Sequence, residues 1–489
     1  MSVQDRRLLH VALAVIAAVT AFRIAVLLLS PLDLYPDEAQ YWWWSQNPAW
    51  GYFSKPPMIA WVIWLTTAVF GENEWAIRLG SPLLHAVTAL FVFGIARRLF
   101  DDARIGLWSA LAYLTTPGVS YSSGLISTDV PLLFFWAGAL YGFVRAMEDP
   151  RWRWVLLTGI AFGLGLEAKY AMFYFLLCAG IAALVSPTAR RVVLSGRGAA
   201  ILVIGLLLLL PNVLWNAAHH FPTVAHTESN ADWDHARYSI MGLVSFIGGQ
   251  FGVFGPFLMV GLLLGFWKLA RGPEREEGRL ILAAFCAPPL ILIIVQSFIS
   301  EANANWAATA YVAATPLAVI TLFGLWNHRL LWFSFIFDGL ALFVLALVWM
   351  SPLFTGLIGQ GNAFKRMEGW QQLGAAVADE ARAGHFAIIA GVNRSVMGEL
   401  LYYAAPRTAL VRDWDRDLHD DDHFQMTLRL TRPAHRVLMV LSPEEASSVR
   451  RTFDSFALIS TVTIPIGGHH IRVTQLYDAR DYRGPQTSQ

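Results

Sequence analysis

Hydrophobic positions in this chain fall into long, nearly unbroken runs rather than the alternating patterns of a soluble fold. Runs close to the length a helix needs to cross a bilayer recur at 8–29, 79–99, 105–121, 129–147, 152–167, 170–185, 198–216, 241–267, 280–299, 306–325 and 329–350, and they predict eleven membrane-spanning helices. The run 57–70 stands apart. At 14 residues it is short for a crossing, and making it one inverts every later loop, so it predicts an interfacial helix in the outer leaflet. Beyond residue 350 the pattern changes to that of a soluble α/β domain. A helix-like stretch over 369–383 precedes the strand run Phe386-Ala387-Ile388-Ile389-Ala390. Arg436–Leu441 reads as a strand, followed by a helix start at Ser442-Pro443-Glu444-Glu445. Final strands are expected at 456–464 and 469–477, with Gly467-Gly468 as the hairpin turn. The fold class is therefore a polytopic α-helical membrane protein with a C-terminal soluble α/β domain. Residues 1–350 form the membrane part, 31–78 its first exterior loop with interfacial helices, and 351–489 the exterior domain.

Charge orients the spans. With the N-terminus cytoplasmic, sixteen Lys/Arg up to residue 350 fall on the inner side, against four (Lys55, Arg78, Lys169 and Arg237) on the outer. An odd number of crossings then puts the C-terminal domain outside the cytoplasm. Seven of the 20 tryptophans lie between residues 42 and 75, which makes the first exterior loop an aromatic belt at the membrane surface. Composition agrees, with 56% hydrophobic and 15% charged residues. A net charge of +1 argues against a nucleic-acid partner. The two cysteines, Cys178 and Cys286, lie in apolar spans and spell neither a disulfide framework nor a metal motif. Arg6-Arg7 precede the first run without a cleavage site, which reads as an uncleaved span.

Candidate chemistry collects on the outer side. Asp37-Glu38, just after the first span, are costly at the membrane surface unless they bind or react; their alternative role is to cap the helix that follows. Arg23, in the outer part of span one, has Asp37 as a candidate partner. Tyr41 belongs to the same aromatic stretch. Lys55, in Ser54-Lys55-Pro56-Pro57, is a lone cation suited to a lipid phosphate, or a snorkelling anchor. Lys169 and Tyr170 occupy the short turn after span five, where Lys169 reaches a phosphate or pairs with Glu167. Asp129 opens span four as an acid or a cap. Asn216 and His219 share a face if span seven continues that far. His219, His226, Glu228, Asp232, Asp234, His235 and Arg237 populate the fourth exterior loop. His219 and His226 are candidate ligands for a divalent metal, although the spacing matches no fixed motif and a hydrogen-bonded loop without metal is the alternative. Asn305-Trp306 suit a sugar, through an amide to its hydroxyls and a ring to its face, or serve as turn and interfacial residues.

The acid pair after the first span, the aromatic loop ending in Lys55-Pro56-Pro57, the residues 215–226 and Asn305-Trp306 together resemble the GT-C glycosyltransferases. The nearest likeness is to their bacterial protein-mannosyltransferase-like and aminoarabinose-transferase-like branch, and it covers residues 1–350. The resemblance implies a polyprenyl-phosphate-linked sugar as donor, Asp37 as catalytic base and Lys55 as a contact to the lipid phosphate. Some aminoarabinose transferases carry a glutamate immediately before that lysine, linked to metal binding; this chain has Ser54 there.

The implied reaction is an inverting displacement. Asp37 deprotonates a hydroxyl of an envelope acceptor (lipid A, core glycan or protein), and polyprenyl phosphate leaves, neutralised by Lys55 with Lys169 or Arg237. Glu38 is a helper or a helix-start acid. The alternative is a transporter or flippase of lipid-linked sugars, but such proteins place charges or broken helices at mid-membrane, and here ionisable residues cluster at the outer surface. An acyltransferase using a pair such as His235 with an acid lacks a supporting motif.

Overall fold

The computed structural model describes residues 3–233, 236–271, 276–325, 328–351, 364–404, 409–467 and 470–485. Two compact units emerge. One comprises Met1–Leu28, Lys55–Val62 and Arg78–Ala346; the other comprises Leu29–Ser54, Ile63–Ile77 and Leu347–Gln489. Most of the first exterior loop therefore groups with the C-terminal residues.

In the first unit, helices stand at each run of apolar residues. Seven described helices are long and apolar enough to cross a membrane, and a bent pair makes up to eight. This is a multi-pass membrane protein. Trp152–Ala168, Tyr174–Val185 and Ala103–Thr115 fill the remaining expected spans but are shorter, at 17, 12 and 13 residues. Two expected spans are broken. The run 105–121 divides at Thr116 into Ala103–Thr115 and Pro117–Ser122, with Pro117 at the first position of the second helix; Pro211, Pro288, Pro289 and Pro316 lie inside continuous helices. The run 241–267 bends by 110° between Ile240–Phe254 and Pro256–Arg271. The hinge is Gly255, at φ +89, before Pro256. A Cβ at Gly255 would also lie 2.6 Å from Asp338 Oδ1, so conformation and space both require glycine there. Edge-to-face aromatics, Trp136 on Phe175 at 5.4 Å and Phe143 on Phe175 at 6.4 Å, fill the core of this unit. Met58–Phe70 is a 13-residue helix with Trp64, Leu65, Val69 and Phe70 exposed. Its length of about 20 Å falls short of a ~30 Å hydrocarbon core.

The second unit contains a five-stranded sheet of order β2-β1-β3-β5-β4, from β1 (Ile388–Gly391), β2 (Leu410–Asp413), β3 (Arg436–Leu441), β4 (Phe453–Ile466) and β5 (His470–Tyr482). The first three are parallel, and β5 runs antiparallel to both β3 and β4. β2 was not apparent from the sequence, and the hairpin strands are longer than expected. The helix Trp370–Ala383 buries Trp370, Leu373, Val377 and Ala381, one stripe at helical spacing. Its start is capped from the first exterior loop: Asp33 Oδ2 accepts from the N–H of Trp370 at 2.7 Å and of Gln371 at 3.3 Å. The helix Pro36–Gln46 approaches Arg394–Glu399 so closely that a Cβ at Gly398 would lie 3.2 Å from the Gln40 nitrogen.

A buried acidic cluster closes the end of β2. Asp413 is fully buried, and neither carboxylate oxygen has a hydrogen-bond partner among the described residues. Burial, reinforced by Asp422 and Asp415 and opposed by Arg429, pushes its carboxyl up to about 9. The folded state therefore holds a proton that the unfolded chain releases near the ordinary aspartate range. Stability is fully present at acid pH and is lost as pH rises towards 9, by up to ~1.4 kcal/mol per pH unit from this group. We expect the melting temperature of the solubilised protein to fall between pH 6 and pH 9, and Asp413→Asn to flatten that dependence and raise the value at pH 9. A parallel pH slope in the variant would assign the effect elsewhere.

Candidate active site

Asp37 and Glu38 lie at the second and third positions of the helix Pro36–Gln46, and this placement separates their roles. Glu38 is buried, and its Oε2 accepts from the Tyr35 N–H at 2.9 Å, the carboxylate half of a capping box. Asp37 points about 100° away around the helix. Its Oδ1 is buried and lies 2.8 Å from Arg394 Nη1, while the side chain as a whole remains 35% exposed. The same Nη1 donates to Gln40 Oε1 at 2.9 Å. Burial pulls the Arg394 guanidinium down, and Asp37, Tyr41 and Asp422 together raise it above its ordinary value. Tyr41 is buried, with its ring 5.2 Å from Trp44, which stacks on Tyr52 at 4.5 Å. Arg23 has partners within its own unit. Its Nη2 donates to Leu114 O at 2.5 Å and Ser120 Oγ at 3.3 Å, because a guanidinium inside the bundle takes the nearest exposed acceptors.

The membrane unit brings several other candidates together. Asp129, at the start of Asp129–Glu148, is 7% exposed. Lys169 Nζ donates to its Oδ1 at 2.7 Å and Asn305 Nδ2 to its Oδ2 at 2.6 Å. Lys169 thus pairs with Asp129, not with its neighbour Glu167, whose buried oxygens have no partner among the described residues. Trp306, next to Asn305, is partly buried against the helical core. A second network joins Tyr170, whose hydroxyl donates to Asn212 Oδ1 at 2.6 Å, with Asn216, whose Nδ2 donates to the Tyr170 hydroxyl at 3.3 Å. Asn216 Oδ1 in turn accepts from the Thr223 N–H at 3.3 Å.

His219 does not share this face. The helix Gly196–Ala218 ends just before it, and its exposed ring stacks on Trp215 at 4.2 Å with Nδ1 2.8 Å from Trp215 O. Among the described residues no group of three His, Cys, Asp or Glu could hold a metal, so His219 and His226 do not form such a centre there. Asp234 and His235 lie outside the described residues. Arg237 makes an exposed ion pair with Glu301 at 2.5 Å. Lys55, in the bend before Met58–Phe70, is partly buried in the membrane unit.

Sequence reasoning missed Arg394, Gln40 and Asn212. Asn212 carried a signal: an amide inside an apolar span, one turn before Asn216. Arg394 carried none, being one of many arginines in an ordinary α/β sequence.

Over 395 residues the chain is 36% identical to the lipid A galacturonosyltransferase RgtD of Rhizobium johnstonii, covering 80% of this chain and 82% of that protein. The chain belongs to the GT-C glycosyltransferases. Residues 54–215 match the model of the dolichyl-phosphate-mannose-protein mannosyltransferase family. A 175-residue stretch is 33% identical to the undecaprenyl phosphate-alpha-4-amino-4-deoxy-L-arabinose arabinosyl transferase of Pseudomonas paraeruginosa, covering 35% of this chain and 31% of that one. The fold matches that of ArnT from Cupriavidus metallidurans, whose crystal structure has undecaprenyl phosphate bound, with a TM-score of 0.65 at 16% identity over 95% of this chain and 97% of that one. Family membership decides between the two classes that the sequence left open: this GT-C protein is a transferase, not a transporter.

The Asp129–Lys169 pair is largely withdrawn from water, so removing one partner leaves a charge or donors unmatched. Asp129→Asn should destabilise the detergent-solubilised protein by about 1–3 kcal/mol, and adding Lys169→Met should recover part of that loss. Thermal unfolding of both variants tests this; equal and additive losses would mean that the two groups are not coupled.

Proposed function

We propose that this enzyme transfers a galacturonosyl residue from a polyprenyl-phosphate donor to lipid A at the periplasmic face of the inner membrane. The 36% identity that runs through 80% of the chain to a lipid A galacturonosyltransferase carries this proposal. The outward orientation rests on the distribution of Lys and Arg among the loops.

In the proposed reaction Asp37 is the general base. One of its oxygens is tied to Arg394 and the carboxylate keeps solvent access, so Oδ2 remains to accept a proton. An acceptor hydroxyl on lipid A attacks the anomeric carbon as its proton passes to Asp37. The anomeric C–O bond to phosphate breaks, the electron pair leaves with polyprenyl phosphate, and the configuration at the anomeric carbon inverts. Lys55 meets the leaving phosphate as a point charge. Lys169 is engaged by Asp129 and Arg237 by Glu301. Asp129, Asn305 and Trp306 form a polar and aromatic group suited to sugar hydroxyls.

With purified enzyme, polyprenyl-phosphate-linked galacturonic acid and lipid A, Asp37→Asn should lower kcat by at least about 10²-fold. Lys55→Ala should raise the KM for the donor and lower kcat, since a lipid phosphate is bound in the ground state and charged further as it leaves. Mass spectrometry of the lipid product provides the readout. Full transfer by the Asp37→Asn enzyme would sink the assignment of the base, and transfer only to a non-lipid acceptor would sink the assignment of lipid A.

A further inference from the structure

Arg394 is the one charged side chain that the structure pairs with Asp37 among the described residues, and it comes from the far end of the sequence. We propose that Arg394 is a positioning residue for the transfer reaction: it fixes the Asp37 carboxylate so that one oxygen is held and the other is presented to the acceptor hydroxyl. The proposal rests on Asp37 being the base and deepens that role.

Three observations support it. The guanidinium is itself held, because its Nη1 contacts both Asp37 Oδ1 at 2.8 Å and Gln40 Oε1 at 2.9 Å, two positions nearly one helical turn apart on Pro36–Gln46. The contact is asymmetric on the carboxylate: Oδ1 is buried, while the side chain as a whole retains exposure. The support under Arg394 is rigid. The helix Arg394–Glu399 starts from Asn393, whose Oδ1 accepts from the Val396 N–H at 3.0 Å and whose Nδ2 donates to Glu445 Oε1 at 2.9 Å. Gly398, in the same helix, lets the backbone close on Pro36–Gln46. The Arg394 side chain is 39% exposed and is not one of the buried core residues. An aspartate has two side-chain torsions, and an ion pair to one oxygen narrows the range they sample.

This gives part of the C-terminal residues a direct task in catalysis. A base displaced by a fraction of an ångström or turned out of line loses rate without losing substrate affinity. Arg394 acts through Asp37 and need not touch substrate.

The test is steady-state kinetics of the full-length enzyme with its polyprenyl-phosphate-linked donor and lipid A, for Arg394→Gln, Arg394→Lys, Asp37→Asn and the double variant Asp37→Asn/Arg394→Gln. Arg394→Gln should lower kcat by about 10–100-fold with both KM values within about threefold of wild type. Arg394→Lys, which keeps the charge but not the planar fork, should restore most of that loss. The double variant should be no slower than Asp37→Asn alone, because positioning a base that is absent contributes nothing. Wild-type kcat in Arg394→Gln, a loss confined to KM, or multiplicative losses in the double variant would each overturn the proposal. If Arg394→Gln does not yield folded protein, Arg394→Met is read in its place: a reduced kcat at unchanged KM supports the proposal and a wild-type kcat overturns it. A fully active Asp37→Asn enzyme would instead remove the base assignment itself, a result distinct from an active Arg394→Gln beside an inactive Asp37→Asn.

Discussion

The cost of taking an ionisable group out of water governs where nearly every polar residue of the membrane unit lies. In hydrocarbon an unmatched charge costs several kcal/mol, so charges move to helix ends or find partners. Arg97 meets Asp5 at 2.9 Å and Arg145 meets Glu148 at 2.5 Å, on the side rich in basic residues. Arg23, which enters the bundle, donates to a main-chain carbonyl and a serine. His85 lies between Tyr113 and Ser122, at 3.1 and 3.0 Å. Asp338 is buried in Arg329–Met350 and accepts from Ser334 at 2.9 Å against the glycine hinge at 255. On the opposite side Asp129, Lys169 and Asn305 form one matched group, joining residues far apart in sequence.

The same rule, applied to backbone groups, joins the first exterior loop to the C-terminal residues. An irregular segment must place its N–H groups on acceptors. The Leu34 N–H donates to the Tyr403 hydroxyl at 2.8 Å, Tyr35 bonds to Arg366, and Asp33 in return caps the helix Trp370–Ala383. His423 packs edge-on against both Trp44 and Tyr52. The tryptophan-rich loop thus has two physical characters: an apolar helix, Met58–Phe70, with exposed aromatic and aliphatic side chains, and a preceding stretch held by polar contacts within its own unit.

What was legible in the sequence follows from these two rules. Apolar length revealed the spans because it depends on the bilayer, a constraint each segment meets by itself. Two spans broke at Thr116-Pro117 and Gly255-Pro256, and proline alone did not mark them, since Pro211, Pro288, Pro289 and Pro316 lie inside continuous helices. In the soluble part β1, β3 and the hairpin strands showed as apolar runs. β2 did not: it is four residues long and ends in an aspartate, Asp413, whose burial depends on neighbours distant in sequence. Site residues divide in the same way. Asp37, Asp129 and Lys169 stood out because a charge beside a span is conspicuous. Their partners did not, since Lys169–Asp129 and Asp37–Arg394 span 40 and 357 positions, and no local pattern encodes such pairings.

The order of the two adjacent acids then acquires a physical reason. At the third helical position a carboxylate must reach back to the N–H of the capping residue, and glutamate has the extra methylene for that reach. At the second position, turned about 100° away, the short aspartate stem has few torsions left free where its Oδ1 faces Arg394. Exchanging the two would put a floppy acid where orientation matters and a short one where reach matters. Adjacent carboxylates also repel, and here each has its own partner: the Tyr35 N–H donates to Glu38, and Asp37 forms an ion pair with the guanidinium of Arg394. The two acids persist side by side because a helix start holds Glu38 and the guanidinium of Arg394 faces Asp37.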